Sequence, residues 1–180
     1  MRAALFLGLL LTGCSEEGGA PDTPYADCGP LALPVSVEMG TAAPDGSTFV
    51  PFAQTGLLPI TAGFQGLVFV SFALRSDTQL PPRMEASMRL LNDDGSVRIP
   101  TTKSALFFEP QPDGSSVDPS LLLLLDPPLS AAWNGLSGRL EVTVYGGSRC
   151  ATVTQRVQLT DRGGCFMEES GAILCNDTLP

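Results

Sequence analysis

Apolar and polar positions alternate with a period of two along most of this chain. In Arg139–Tyr145, Leu140, Val142 and Val144 share one face, and Glu141, Thr143 and Tyr145 the other. In 151–160, Val153, Val157 and Leu159 oppose Thr152, Thr154, Arg156 and Gln158. Met84, Ala86, Met88 and Leu90 alternate with Glu85, Ser87 and Arg89, and Val35, Val37 and Met39 with Ser36 and Glu38. This is the pattern of half-buried antiparallel strands. Leu67–Leu74 and Leu121–Leu125 are apolar on both faces and predict central strands covered on both sides. For Leu121–Leu125 core is preferred over a partner-binding edge, with Asp126-Pro127-Pro128 guarding against aggregation.

Turn residues separate these runs: Pro44-Asp45-Gly46, Thr61-Ala62-Gly63, Leu80-Pro81-Pro82, Asn92-Asp93-Asp94-Gly95, Gln111-Pro112-Asp113-Gly114, Asp126-Pro127-Pro128 and Gly146-Gly147-Ser148. No stretch of a dozen residues carries a 3.6 period, and there is no internal repeat. Strands are expected over 34–39 with a continuation at 48–53, then 66–75, 83–91, 97–109, 120–126, 138–145 and 151–160. Seven such strands predict an all-β, antiparallel two-sheet sandwich over 28–180. The stretch Trp133–Tyr145, its Gly-Gly turn and the alternating strand that follows resemble the end of immunoglobulin-like domains of bacterial surface proteins. The resemblance implies an Ig-like sandwich. The antibody-type Cys-Trp-Cys core is absent, since no cysteine lies inside an expected strand.

The N-terminus has a different character. A single basic residue, Arg2, precedes the apolar run Ala3–Leu11, which is far shorter than the roughly 20 residues needed to cross a bilayer. Leu11-Thr12-Gly13-Cys14 follows directly. This resembles the lipobox of bacterial lipoproteins. The resemblance implies that 1–13 is a signal peptide, that Cys14 becomes the first mature residue, and that Cys14 carries diacylglycerol and an N-acyl group such as palmitate. Each buried methylene contributes about 0.8 kcal/mol, so several acyl chains make such an anchor effectively permanent. Ser15 in place of Asp after the cysteine implies the outer rather than the inner membrane of the cell envelope. Residues 14–27 are then the lipidated cysteine and a flexible tether, small, acidic and broken by Pro and Gly.

Removing Arg2 leaves nine basic residues against nineteen acidic ones, a charge of −10. Such a chain offers no electrostatic footprint for nucleic acid or an anionic lipid surface. Solubility is the plainer meaning of the charge. The absence of histidine excludes His bases, His-containing triads and His metal sites. No cofactor is expected.

Four cysteines follow Cys14: Cys28, Cys150, Cys165 and Cys175. An even number in an exported chain argues for two disulfides rather than a zinc site, and sequence alone allows three pairings. In a seven-strand up-and-down sandwich the first strand begins at the end where the sixth turns into the seventh. That brings Cys28 and Cys150 together and leaves Cys165–Cys175 to close a C-terminal hairpin.

Candidate chemistry is sparse. Glu85, Glu109 and Glu141 are available for a carboxylate-pair hydrolase, but all fit solvent-facing positions or strand ends. Asp93 and Asp94 form the one acidic loop resembling a cation site; the alternating ligands and distant Glu of an EF-hand are missing, and a β-turn explains them better. Trp133, Tyr145 and Tyr25 are candidates for a sugar-stacking platform, against a core role for the lone tryptophan. The sequence therefore reads as a lipid-anchored, non-enzymatic binding or structural module with an envelope protein or glycan as partner. A carbohydrate-binding jelly-roll and a carboxylate hydrolase are the alternatives.

Overall fold

The structure is a computed structural model. It describes residues 28–29, 32–43, 48–63, 66–167 and 173–175, with the side chains of 163, 174 and 175 outside the description. The expected signal peptide over 1–13, Cys14, Ser15, the rest of the expected tether with Tyr25, and the expected turn Pro44-Asp45-Gly46 lie outside the described residues.

The regular structure of the described residues is nearly all β: β1 (Leu33–Pro34), β2 (Val37–Ala42), β3 (Phe49–Pro51), β4 (Gly56–Ala62), β5 (Val68–Ser76), β6 (Met84–Leu91), β7 (Val97–Leu106), β8 (Glu109–Pro110), β9 (Ser116–Leu124), β10 (Ser137–Gly146), β11 (Arg149–Met167) and β12 (Ile173–Cys175). A single helical turn, α1 (Ser130–Trp133), precedes β10. The main ladder runs β3-β2-β5-β4-β11-β10-β6-β7, with β9 joined to β5, β8 to β9, and β1 and β12 to β11. One core cluster contains Phe72 and Leu74 of β5 as well as Leu140 and Val142 of β10, strands that the ladder separates by β4 and β11. The ladder therefore wraps around a shared interior, and burying these side chains is the main stabilising term.

The strands with the cleanest alternation behave as their sequences predict. In β10, Leu140, Val142 and Val144 are buried, while Arg139 and Glu141 face outward, Glu141 ion-paired to Arg89 at 2.8 Å. β5 is central: β9 lies on one edge, and β2 and β4 share the other. Its residues Val68, Val70, Phe72 and Leu74 enter the core, and Phe69 and Ala73 are buried on the opposite face.

Four expectations are corrected. Thr61-Ala62-Gly63 is not a turn: Thr61 and Ala62 end β4, whose Leu58 and Ile60 enter the core. β4 runs parallel to β11, so the sheet is mixed rather than wholly antiparallel. The last long strand continues past 160 to Met167, with a register irregularity between Thr160 and Cys165. The extension takes in Cys165, and because β11 begins at Arg149, Cys150 also lies within the strand rather than in the turn before it. Leu121–Leu125 is not covered on both sides: Leu121, Leu123 and Leu125 are buried on the core face, but Leu122 and Leu124 are exposed on the other.

The Cys28–Cys150 disulfide is present, with a Cα separation of 5.5 Å. Its topological basis is visible: β1 pairs with the start of β11, Pro34 opposite Cys150. Cys165 is also disulfide-bonded, and it stands opposite Cys175 in the β11–β12 hairpin.

Candidate functional site

The sequence candidates do not gather. Trp133 is buried at the end of α1, and its indole N–H donates to the Pro127 carbonyl at 2.8 Å. Tyr145 sits at the far end of β10, opposite Glu85 and Cys150. Burial, and then the Glu85 carboxylate hydrogen-bonded to it, raise the Tyr145 hydroxyl above its ordinary range. Trp133 lies before the start of β10 and Tyr145 near its end, so the two rings form no common platform. Glu85 and Glu141 are four residues apart along the ladder, about 13 Å. Glu109 is exposed on β8, which belongs to another part of the ladder.

Asp93 and Asp94 also diverge. Asp93 accepts from Arg156 at 2.9 Å. Asp94 accepts from the Ser96 N–H at 2.9 Å and its hydroxyl at 2.6 Å. The hydroxyl bond first, and the N–H bond next, hold the Asp94 carboxyl below the usual range. Gly95 supplies the positive φ, +88°, that closes the turn. Among the described residues no group of three or more His, Cys, Asp or Glu gathers around a point.

The same turn recurs at Gln111–Ser115. Asp113 accepts from the Ser115 N–H at 2.9 Å and its hydroxyl at 2.5 Å, and Gly114 has φ +85°. In both turns the first residue's N–H donates to the serine carbonyl and the glycine N–H returns to the first residue's carbonyl. Asp-Gly-Ser is thus a turn-forming triplet here, and the second copy carries Asp113 to a concave site.

That site is a shallow cavity of about 270 Å³ lined by Phe49, Arg75, Gln111, Pro112, Asp113, Ser115 and Val117. It lies on the outer face of β2, β5 and β9. Gly40 on β2 permits it: a Cβ there would run into the Val50 carbonyl and meet Phe49 Cζ at 2.7 Å, so only glycine lets β3 and the Phe49 ring come this close to the strand. The Arg75 guanidinium carbon stands 5.9 Å from the Phe49 ring centroid, within cation–π range. Its Nη2 donates to Asp113 Oδ2 at 2.9 Å. The Ser115 hydroxyl first, with a smaller contribution from Arg75, holds the Asp113 carboxyl below its usual range. The result is an aromatic ring beside a cation, a carboxylate and an amide.

Beyond the cavity, the outer face of β5 and β9 turns apolar. The cross-strand pairs run from Arg75–Val117 to Ser71–Leu122 and Phe69–Leu124. Leu122 and Leu124 are 37% and 50% exposed. Phe107, also exposed, is held beside β9, its N–H donating to Asp118 Oδ2 at 2.7 Å. Sequence reasoning missed this face because its residues come from four distant segments; only the apolar run Leu121–Leu125 signalled part of it. No family model matches the chain, and no curated protein matches it at a significant level.

Proposed function

We propose that the protein is a lipid-anchored, non-enzymatic binding module of the bacterial cell envelope. In this reading Cys14 is the lipidation site, 14–27 the tether, the outer membrane the location, and the domain an Ig-like sandwich of two layers. The lipobox supports the anchor. The core shared by β5 and β10 supports two facing layers, with the short three-pair β4–β5 contact as the corner between them. The pairing Cys165–Cys175 closes the C-terminal hairpin.

The observation that carries the binding role is the outer face of β2, β5 and β9. It combines a concave aromatic and charged site with exposed leucines, whereas the outer face of β10 and β11 is occupied by internal bonds such as Arg89–Glu141 and Thr143–Thr152. Apolar surface gathered beside a polar rim marks an interaction site. Photo-crosslinking in cells tests this. A photoreactive residue at Ser71 is expected to capture a defined partner that one at Thr154 does not. Equal capture at both positions, or none at Ser71, would sink the reading.

A glycan ligand is the second reading, and it moves from Trp133 to Phe49. The Phe49 ring with Arg75, Gln111 and Asp113 offers a stacking surface and hydrogen-bonding groups in one cavity. Retention on envelope polysaccharide that Phe49→Ala abolishes and Trp133→Phe leaves intact would favour it.

A further inference from the structure

The edge of β9 is open in a defined way. The Leu125 N–H donates to the Val68 carbonyl at 2.8 Å. N–H groups along an antiparallel strand point alternately to its two sides. The N–H groups of Leu121 and Leu123 therefore also point toward β5, where Phe72 and Val70 are their partners. Those of Leu122 and Leu124 point away. Among the described residues β9 pairs only with β5 and, at Ser116 and Val117, with β8. Among the described residues, the outward main-chain donors and acceptors of Leu122 and Leu124 thus have no strand partner, alongside exposed side chains. An edge of this kind is a template for another strand, and natural proteins usually blunt it with charge, bulge or cover. Here Pro119 and Pro127 only delimit it, leaving Ser120–Leu124 uncharged and about 17 Å long.

We propose that β9 binds an extended, positively charged segment of another protein by strand addition along Ser120–Leu124. This rests on the reading of the β2, β5 and β9 face as the recognition surface, and it names the mode and the partner's chemistry. Main-chain bonds at Leu122 and Leu124 supply the pairing, and their side chains select apolar residues on one face of the incoming strand. Charge selects the partner. The edge is flanked by the exposed carboxylates of Glu109 and Asp126, and the chain carries a net charge of −9. A second copy of this chain would bring the same charges to the same edge, whereas lysines or arginines flanking an apolar strand would meet complementary ones.

The test uses the unmodified domain and a fluorescein-labelled nonapeptide, Lys-Val-Thr-Val-Lys-Val-Thr-Val-Lys, followed by fluorescence anisotropy. Saturable binding is expected. The fully N-methylated peptide, which keeps the side chains but cannot pair, should bind at least tenfold more weakly, as should a version with Glu in place of Lys. Leu122→Pro removes one outward N–H and should cost a similar factor, while Leu122→Thr, which keeps it, should stay within about threefold. Equal binding of the N-methylated peptide would overturn strand addition, and this comparison needs no variant to fold. No binding of the Lys peptide would overturn it as well. A dimer at high concentration that Leu122→Pro dissolves would assign the edge to a second copy instead. Specific capture at Ser71 in cells without peptide binding would sink strand addition alone and leave the recognition face standing.

Discussion

Phe69 stands directly opposite Leu124 across the β5–β9 ladder, yet Phe69 is 2% exposed and Leu124 50%. The pair marks where the covered part of the sheet ends. Thr61, the partner of Phe69 on its other side, is buried as well. Phe69→Ala should therefore cost about 3–5 kcal/mol in urea unfolding, the range for truncating a buried aromatic. Leu124→Ser should change stability by under about 1 kcal/mol. Similar costs for the two would show that β9 is covered.

Gly40 supports the cavity from beneath. Gly40→Ala puts a methyl group against the Val50 carbonyl and the Phe49 ring, so the β3 backbone must move off β2 and take Phe49 away from Arg75. Overpacking of this kind costs about 1–3 kcal/mol. Arg75→Met should cost less, under about 1 kcal/mol, because its ion pair with Asp113 is partly exposed. Calorimetry of the two variants should rank them in that order.

The Cys28–Cys150 bridge spans 122 residues. In the chain-entropy model a loop of that length restrains the unfolded chain by about 4–5 kcal/mol. The double variant Cys28→Ala, Cys150→Ala should show a loss of this order, read by urea unfolding under oxidising conditions. A loss under about 1 kcal/mol would mean that the β1–β11 pairing holds this end without the bridge.

Asp118 is buried beside Leu74, and burial raises its carboxyl above the ordinary range, against N–H groups of Phe107 and Ser120 that favour the charged form. A raised folded-state value means that the ionised group opposes folding at neutral pH. That opposition fades as pH falls through the folded-state value toward the unfolded one. Asp118→Asn keeps an acceptor for Phe107 but cannot ionise. Its stability relative to the native chain should therefore be higher at pH 7 than at pH 4. An unchanged difference would show that the charge carries no burial penalty.

Much of the fold was legible because alternation is a local signal. Leu140, Val142 and Val144 identify β10 from sequence alone, and Val153, Val157 and Leu159 identify β11. β4 was hidden because Pro59 interrupts its run and Gly56 and Gly63 resemble turn residues at its ends. The run Leu121–Leu125 shows that an apolar stretch cannot reveal whether one face or two are covered. That depends on what packs over the outer face of β9, which is a property of the whole topology. The cavity was illegible for the same reason: Phe49, Arg75 and Asp113 meet only after three segments have paired. Cys28–Cys150 was legible because strand ends are ordered by the alternation of strands, even though the number of strands differed.

Amide hydrogen exchange resolved at single residues along β9 tests the open recognition edge most directly. In the free domain, Leu122 and Leu124 should exchange about a hundredfold or more faster than Leu121, Leu123 and Leu125, whose N–H groups point into the β5 ladder. Equal protection along all five leucines would mean that the edge is already paired or covered, and would contradict the strand addition that completes the recognition face.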